Sequence, residues 1–124
     1  MKLENTGIED RVMDLKTLDH IMGKNAFIRA EQWDYERVTY DYKINTQEKG
    51  ATYYIRIQGY ATEGDVDLGD AKIKLLTPII GKHYYPHGVE YGENEVFPNH
   101  LVKSCEQVLA ALKKDLDAFE LQSK

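Results

Sequence analysis

The chain has 124 residues, of which 42% are apolar and 30% charged, with a formal net charge of −5. That length suffices for one buried core without disulfides or metals. No apolar run approaches the roughly 20 residues that a bilayer crossing needs, and the acidic balance disfavours nonspecific attraction to nucleic acid or anionic membranes. The single cysteine, Cys105, has no partner for an internal disulfide, as expected of a reducing compartment. The opening run Met1-Lys2-Leu3-Glu4-Asn5-Thr6-Gly7 lacks the apolar centre and small-residue cleavage site of a secretory signal, so the expected compartment is the cytoplasm.

No repeat, low-complexity stretch or linker divides the chain, and residues 1–124 read as a single domain. The first periodic stretch sets Leu15, Leu18, Ile21 and Met22 on one helical face, with Asp14 able to cap its start and Gly23 suited to its end. An earlier start is open as well: Thr6-Gly7-Ile8-Glu9 fits a capping box, and Ile8 with Val12 extends the same stripe. From Ala26 the period changes. Phe27-Ile28-Arg29-Ala30 has strand character, and Trp33-Asp34-Tyr35 reads as a turn or strand edge.

Strict alternation begins at Arg37. Val38, Tyr40, Tyr42 and Ile44 fall on one side of a strand, and Arg37, Thr39, Asp41 and Lys43 on the other. After the polar stretch 45–50, Tyr53, Ile55 and Ile57 alternate with Tyr54, Arg56, Gln58 and Tyr60, so the two runs are expected to form a hairpin. A second acidic loop over residues 62–70 leads to Ala71, Ile73 and Leu75 alternating with Lys72, Lys74 and Leu76. An aromatic-rich segment without a clear period comes next. A long helix then opens at Pro98 or Asn99, with Leu101, Cys105, Val108, Leu112, Leu116 and Phe119 on its apolar stripe.

Antiparallel strands tolerate one wet face, so the expected fold is α+β: a four-stranded, mainly antiparallel sheet with two helices packed on one face. The opposite face then carries Arg37, Thr39, Asp41, Lys43, Tyr54, Arg56, Gln58, Tyr60, Lys72 and Lys74. It must meet water, a ligand or a partner.

Three stretches together resemble a known family. They are Gln32-Trp33-Asp34-Tyr35-Glu36-Arg37-Val38-Thr39-Tyr40-Asp41, then Tyr53-Tyr54-Ile55-Arg56-Ile57-Gln58-Gly59-Tyr60, then residues 78–92 with the run Gly81-Lys82-His83-Tyr84-Tyr85-Pro86-His87-Gly88-Val89-Glu90-Tyr91-Gly92. Over essentially its whole length the chain resembles the YugN-like family of small bacillar proteins. The resemblance implies an α+β domain from a bacterial cytoplasmic protein. It brings no assigned activity and so transfers no catalytic residue.

The residues themselves offer several chemistries. His83, His87 and Glu90 are transition-metal ligand types. They would share one face of an unbroken helix, but Pro86 and Gly88 argue against that helix. His83, Tyr84, Tyr85, His87, Glu90 and Tyr91 are therefore the candidate ligand-binding residues, either lining a pocket or supplying acid–base groups to a small-molecule or metal-dependent enzyme. The plain alternative is an ordered loop whose tyrosines pack and whose polar tips make hydrogen bonds. No recognisable catalytic motif is present, and no metal or cofactor is assigned.

Cys105 lies on an apolar stripe and reads as a small buried hydrophobe. The loop acids Glu63, Asp65, Asp67 and Asp70 match a calcium loop poorly and read as a solvated turn. The open sheet face mixes cations with aromatic planes, as single-stranded RNA sites do, but neither the order of elements nor the net charge suits that role. Arg37, Tyr54, Arg56 and Tyr60 better fit protein contact, a homodimer included. A non-catalytic binding or protein-interaction domain is the expected role.

Overall fold

The computed structural model describes residues 1–30, 34–44, 51–84, 89–90 and 97–122. Helix α1 spans Leu15–Lys24 and buries Leu15, Leu18, Ile21 and Met22, the stripe that the spacing predicts. Asp14 occupies its N-cap position with extended backbone, although its side chain makes no capping hydrogen bond. The helix runs through Gly23 and stops at Asn25. Ala26, at φ 65°, takes the left-handed turn after the cap. The amides of Ala26 and Phe27 donate to the carbonyls of Gly23 and Met22 at 3.1 and 2.9 Å, the paired closure of a Schellman motif.

The earlier helix start does not form. Only half of a capping box remains, the Thr6 amide donating to Glu9 Oε1 at 3.1 Å, while the Thr6 hydroxyl donates to Oε2 and accepts the Ile8 amide at 3.3 Å. The chain then enters β1, Val12–Asp14, which pairs antiparallel with β5, Lys72–Leu75. The 3–4 spacing of Ile8, Val12 and Leu15 imitates a helix, but Val12 lies half exposed in a strand while Ile8 is buried.

The sheet has seven strands among the described residues rather than four. Strand β2 is Ile28–Arg29, β3 is Arg37–Ile44 and β4 is Ala51–Glu63. The strands missing from the expected meander are β1 and, within the segment without a clear period, β6 (Ile79–Tyr84) and β7 (Val89–Glu90). The order β1-β5-β4-β3-β2 is antiparallel in the pairs that build it. Strand β4 is long enough to serve two neighbours on one edge: its first half pairs with β6 and its last part with β5, while β3 lines the other edge. The N-terminal segment runs along that branched edge, with the Leu3 amide bonded to the Pro78 carbonyl at 2.8 Å and the Asp10 amide to that of Leu75 at 2.8 Å.

Helix α2, Asn99–Gln122, buries Leu101, Cys105, Leu109, Leu112 and Leu116. Together with the α1 stripe, these side chains join Val38, Tyr40, Tyr53, Ile55, Ile57, Ile73, Leu75 and Ile80 in one core cluster. Both helices thus cover the same face of the sheet. Tyr53 meets Phe97 edge-on at 5.8 Å between ring centroids. Tyr40 donates its hydroxyl to Asp19 at 2.6 Å, which ties β3 to α1. Burial first, and the Asp19 carboxylate second, push the Tyr40 hydroxyl pKa upward.

Candidate functional site

Cross-strand pairing sets opposing residues on the same side of a sheet. The register Arg37↔Tyr60, Thr39↔Gln58, Asp41↔Arg56 and Lys43↔Tyr54 therefore puts the whole polar set of β3 and β4 on the face away from the helices. Lys74 continues the first of these rows through Tyr60, and Val12 extends it through Lys74. Arg37, Tyr54, Arg56 and Tyr60 do share this face, as the alternation predicts.

Its electrostatics are quieter than a count of lysines and arginines implies. Arg56 grips Asp41 with two bonds, Nε to Oδ1 at 2.8 Å and one terminal nitrogen to Oδ2 at 3.0 Å. Lys72 lies 3.8 Å from Glu63, and Lys74 lies 3.9 Å from Asp10. Three of the five cations that suggested RNA binding thus have carboxylate neighbours. Arg37 has no such neighbour among the described residues.

At one end of the face lies a concavity of about 550 Å³, lined by Asp34, Arg37, Val38, Thr39, Gln58, Gly59, Tyr60 and Leu76. Three strands build it, because the Leu76 amide bonds the Gln58 carbonyl at 2.8 Å and brings the end of β5 beside β4 and β3. Asp34 closes one side in a tight turn, its Oδ1 accepting the backbone N–H groups of Glu36 and Arg37 at 2.8 and 3.2 Å. Thr39 is only 3% exposed, whereas Tyr60 and Leu76 are 38% and 41% exposed. The lining thus alternates polar groups with accessible apolar ones, the composition of small-ligand pockets.

For the segment 83–91, the structure describes less. His83 is half-buried on β6, with Thr52 and Val89 as its ladder neighbours. Tyr84 ends that strand, and Glu90 stands in β7 opposite Lys82. The register thus puts Val89 and not Glu90 across from His83. Tyr85, His87 and Tyr91 lie outside the described residues. No group of three or more His, Cys, Asp or Glu residues is placed to share an ion among the described residues.

The other titratable groups of interest hold the fold together. Cys105 is buried. Desolvation, and then the neighbouring Glu106 charge, push its thiol up to about 12, so it is no ready nucleophile. In the acidic loop, Asp70 and Asp65 accept the amides of Asp65 and Asp67, each at 2.8 Å. Burial of Glu9 works against its charge, but the Thr6 hydroxyl and local backbone amides outweigh that and hold its carboxyl below the ordinary range. Asp117 is lowered as well, by hydrogen bonds from Lys113 and then Arg11.

The concavity is what sequence reasoning missed. Alternation identifies the face, but nothing local signals that Asp34, Gln58 and Leu76, from three separate segments, bound one hollow.

These features define a small α+β domain: an antiparallel sheet with two helices on one face and a hollowed, mixed-polarity surface on the other. The model of the YugN-like family matches residues 3–118, and the chain belongs to that family. It is 47% identical over 121 residues to YlbA of Bacillus subtilis (strain 168), itself described as an uncharacterized protein, covering 98% of this chain and 99% of that one. It is also similar to the crystal structure of YugN from Geobacillus kaustophilus HTA426, titled an uncharacterized conserved protein, at 54% identity and a TM-score of 0.81, with 97% of this chain and 98% of the other covered. None of the described helices is long and apolar enough to cross a membrane.

Proposed function

We propose that the protein is a non-catalytic binding domain of the bacterial cytoplasm, and that its contact surface is the open sheet face centred on Arg37 and Tyr60. The observation that carries this reading is the concavity itself, with the Arg37 guanidinium beside accessible tyrosine and leucine surface. Arginine and tyrosine are the residues that interfaces and ligand pockets favour. Catalytic sites gather groups with displaced pKa values. Among the described residues the displaced groups, Glu9, Tyr40, Cys105 and Asp117, do not line the concavity and serve packing and hydrogen bonding instead. The enzyme reading of residues 83–91 draws on His83 alone among its described side chains and is not favoured.

The test is native mass spectrometry of the protein gently purified from its own host, set beside the denatured mass. A retained small molecule, or a multiple of the chain mass, that disappears in Tyr60→Ala supports the reading. A bare monomer at all micromolar concentrations, or a complex indifferent to Tyr60→Ala, overturns it.

A further inference from the structure

The cations of the open face do not share one fate. Arg56, Lys72 and Lys74 each have a carboxylate within 4.0 Å, whereas Arg37 lines the concavity without one among the described residues. Asp34 lines the same hollow, yet it forms no ion pair with Arg37, and its Oδ1 is engaged by the turn's own amides. The register sets Arg37 directly across from Tyr60, so the guanidinium and the aromatic ring stand within reach of one ligand. Leu76 and Tyr60 add accessible apolar surface, and Gln58 a carboxamide that can donate or accept.

From this arrangement we infer that the concavity is a subsite for a small organic anion, an oxyanion carried on an apolar or aromatic body, with Arg37 as its anchor. The inference deepens the binding role proposed above and rests on it. A guanidinium presents parallel N–H groups that match carboxylate or phosphate oxygens two at a time. Tyr60 and Leu76 take the body of the ligand. A hollow of about 550 Å³ accommodates a molecule of that size. Carboxylate and phosphate share this chemistry, and the experiment separates them.

The experiment is an NMR titration of the isotopically labelled full chain with benzoate, phenyl phosphate and, as the neutral counterpart, benzamide. Either anion should shift the backbone amides of Arg37, Thr39 and Tyr60 and the Arg37 Nε–H, and the tighter of the two identifies the preferred oxyanion. Arg37→Gln should weaken anion binding about 10-fold or more, as loss of a charge-assisted hydrogen bond does, and should leave benzamide unaffected. Arg37→Lys should recover only part of the loss, since a point charge lacks the planar fork. Equal affinity for benzamide and the anions, or anion shifts that survive Arg37→Gln, overturns the inference. If the anions leave these amides unmoved while Tyr60→Ala still abolishes a complex seen by native mass spectrometry, the anion is wrong and the binding face stands. If that complex is absent too, both fall.

Discussion

Successive residues of β4 end in opposite surroundings. Ile55 and Ile57 are sealed beneath the helices, while Arg56, Gln58 and Tyr60 face away from them. On β3, Tyr40 is buried between sheet and α1, while Asp41 beside it is spent on Arg56. The helix-side surface closes by apolar packing that the chain supplies from α1, α2 and the N-terminal segment. The other surface is partly balanced by ion pairs and, among the described residues, carries the hollow beside Arg37. The first surface holds the stability of the domain, and the second is the one proposed above as the contact surface.

Ile57→Ala gives the sharpest test of that division. The side chain is fully buried, and its truncation should cost about 3–4 kcal/mol in urea unfolding. Gln58→Ala, one residue away on the exposed side, should fall within about 0.5 kcal/mol of the parent. Comparable losses would mean that both faces pack, and the contrast would be lost.

Gly59 stands where the two surfaces come closest to exchanging roles, since it faces the core and also lines the concavity. A Cβ there would meet Ile73 Cγ2 at 2.5 Å and the Lys74 carbonyl oxygen at 3.1 Å. Gly59→Ala should therefore destabilise by about 1–3 kcal/mol, the usual cost of overpacking, and shift NMR signals of both Ile73 and Thr39. A neutral outcome would show that β5 yields easily to β4.

The N-terminal segment closes one flank of the core and depends on Glu9. Its carboxyl is held below the ordinary range in the folded chain, so its contribution is present above the unfolded pKa of about 4.3 and is lost as pH falls through the lower folded value. Glu9→Gln should cost about 1 kcal/mol at neutral pH, as weakened hydrogen bonds to a charged carboxylate on a partly exposed loop do. The gap from the parent should close on acidification. A gap independent of pH would assign the loss to geometry instead of charge.

Legibility from sequence obeyed the same division. The core face of β3 and β4 was readable because Val38, Tyr40, Ile55 and Ile57 repeat at period two, and α2 because Leu101, Cys105, Leu112 and Leu116 repeat at period 3.6. Strands β6 and β7 were hidden because Gly81, Pro86 and Gly88 interrupt any period, and because β6 pairs with the first half of the unusually long β4 while, among the described residues, β7 pairs only with β6. Strand β1 was hidden by spacing that imitates a helix. Of the candidate site, the face was legible but the hollow was not. It depends on the Asp34 turn and on the placement of Leu76 beside Gln58, and both are tertiary facts.

The smallest expected effect lies at the boundary between the two surfaces. Ala26 takes a left-handed conformation at φ 65° and ends α1, so that Phe27 turns into the core at 2% exposure while Ile28 is left 74% exposed on the open face. A Cβ in that conformation is strained, whereas glycine adopts it freely but loses more entropy on folding. At a left-handed helix cap the first term prevails, so Ala26→Gly should stabilise the domain by about 0.5–1 kcal/mol. That corresponds to a rise of a few degrees in Tm for a chain of this size. Because the substitution removes only a methyl group and relieves local backbone strain, ligand shifts at Arg37 and Tyr60 should be unchanged. A loss of stability would show instead that the alanine methyl packs at the end of α1, and that the parting of Phe27 from Ile28 is set by tertiary contact and not by the turn.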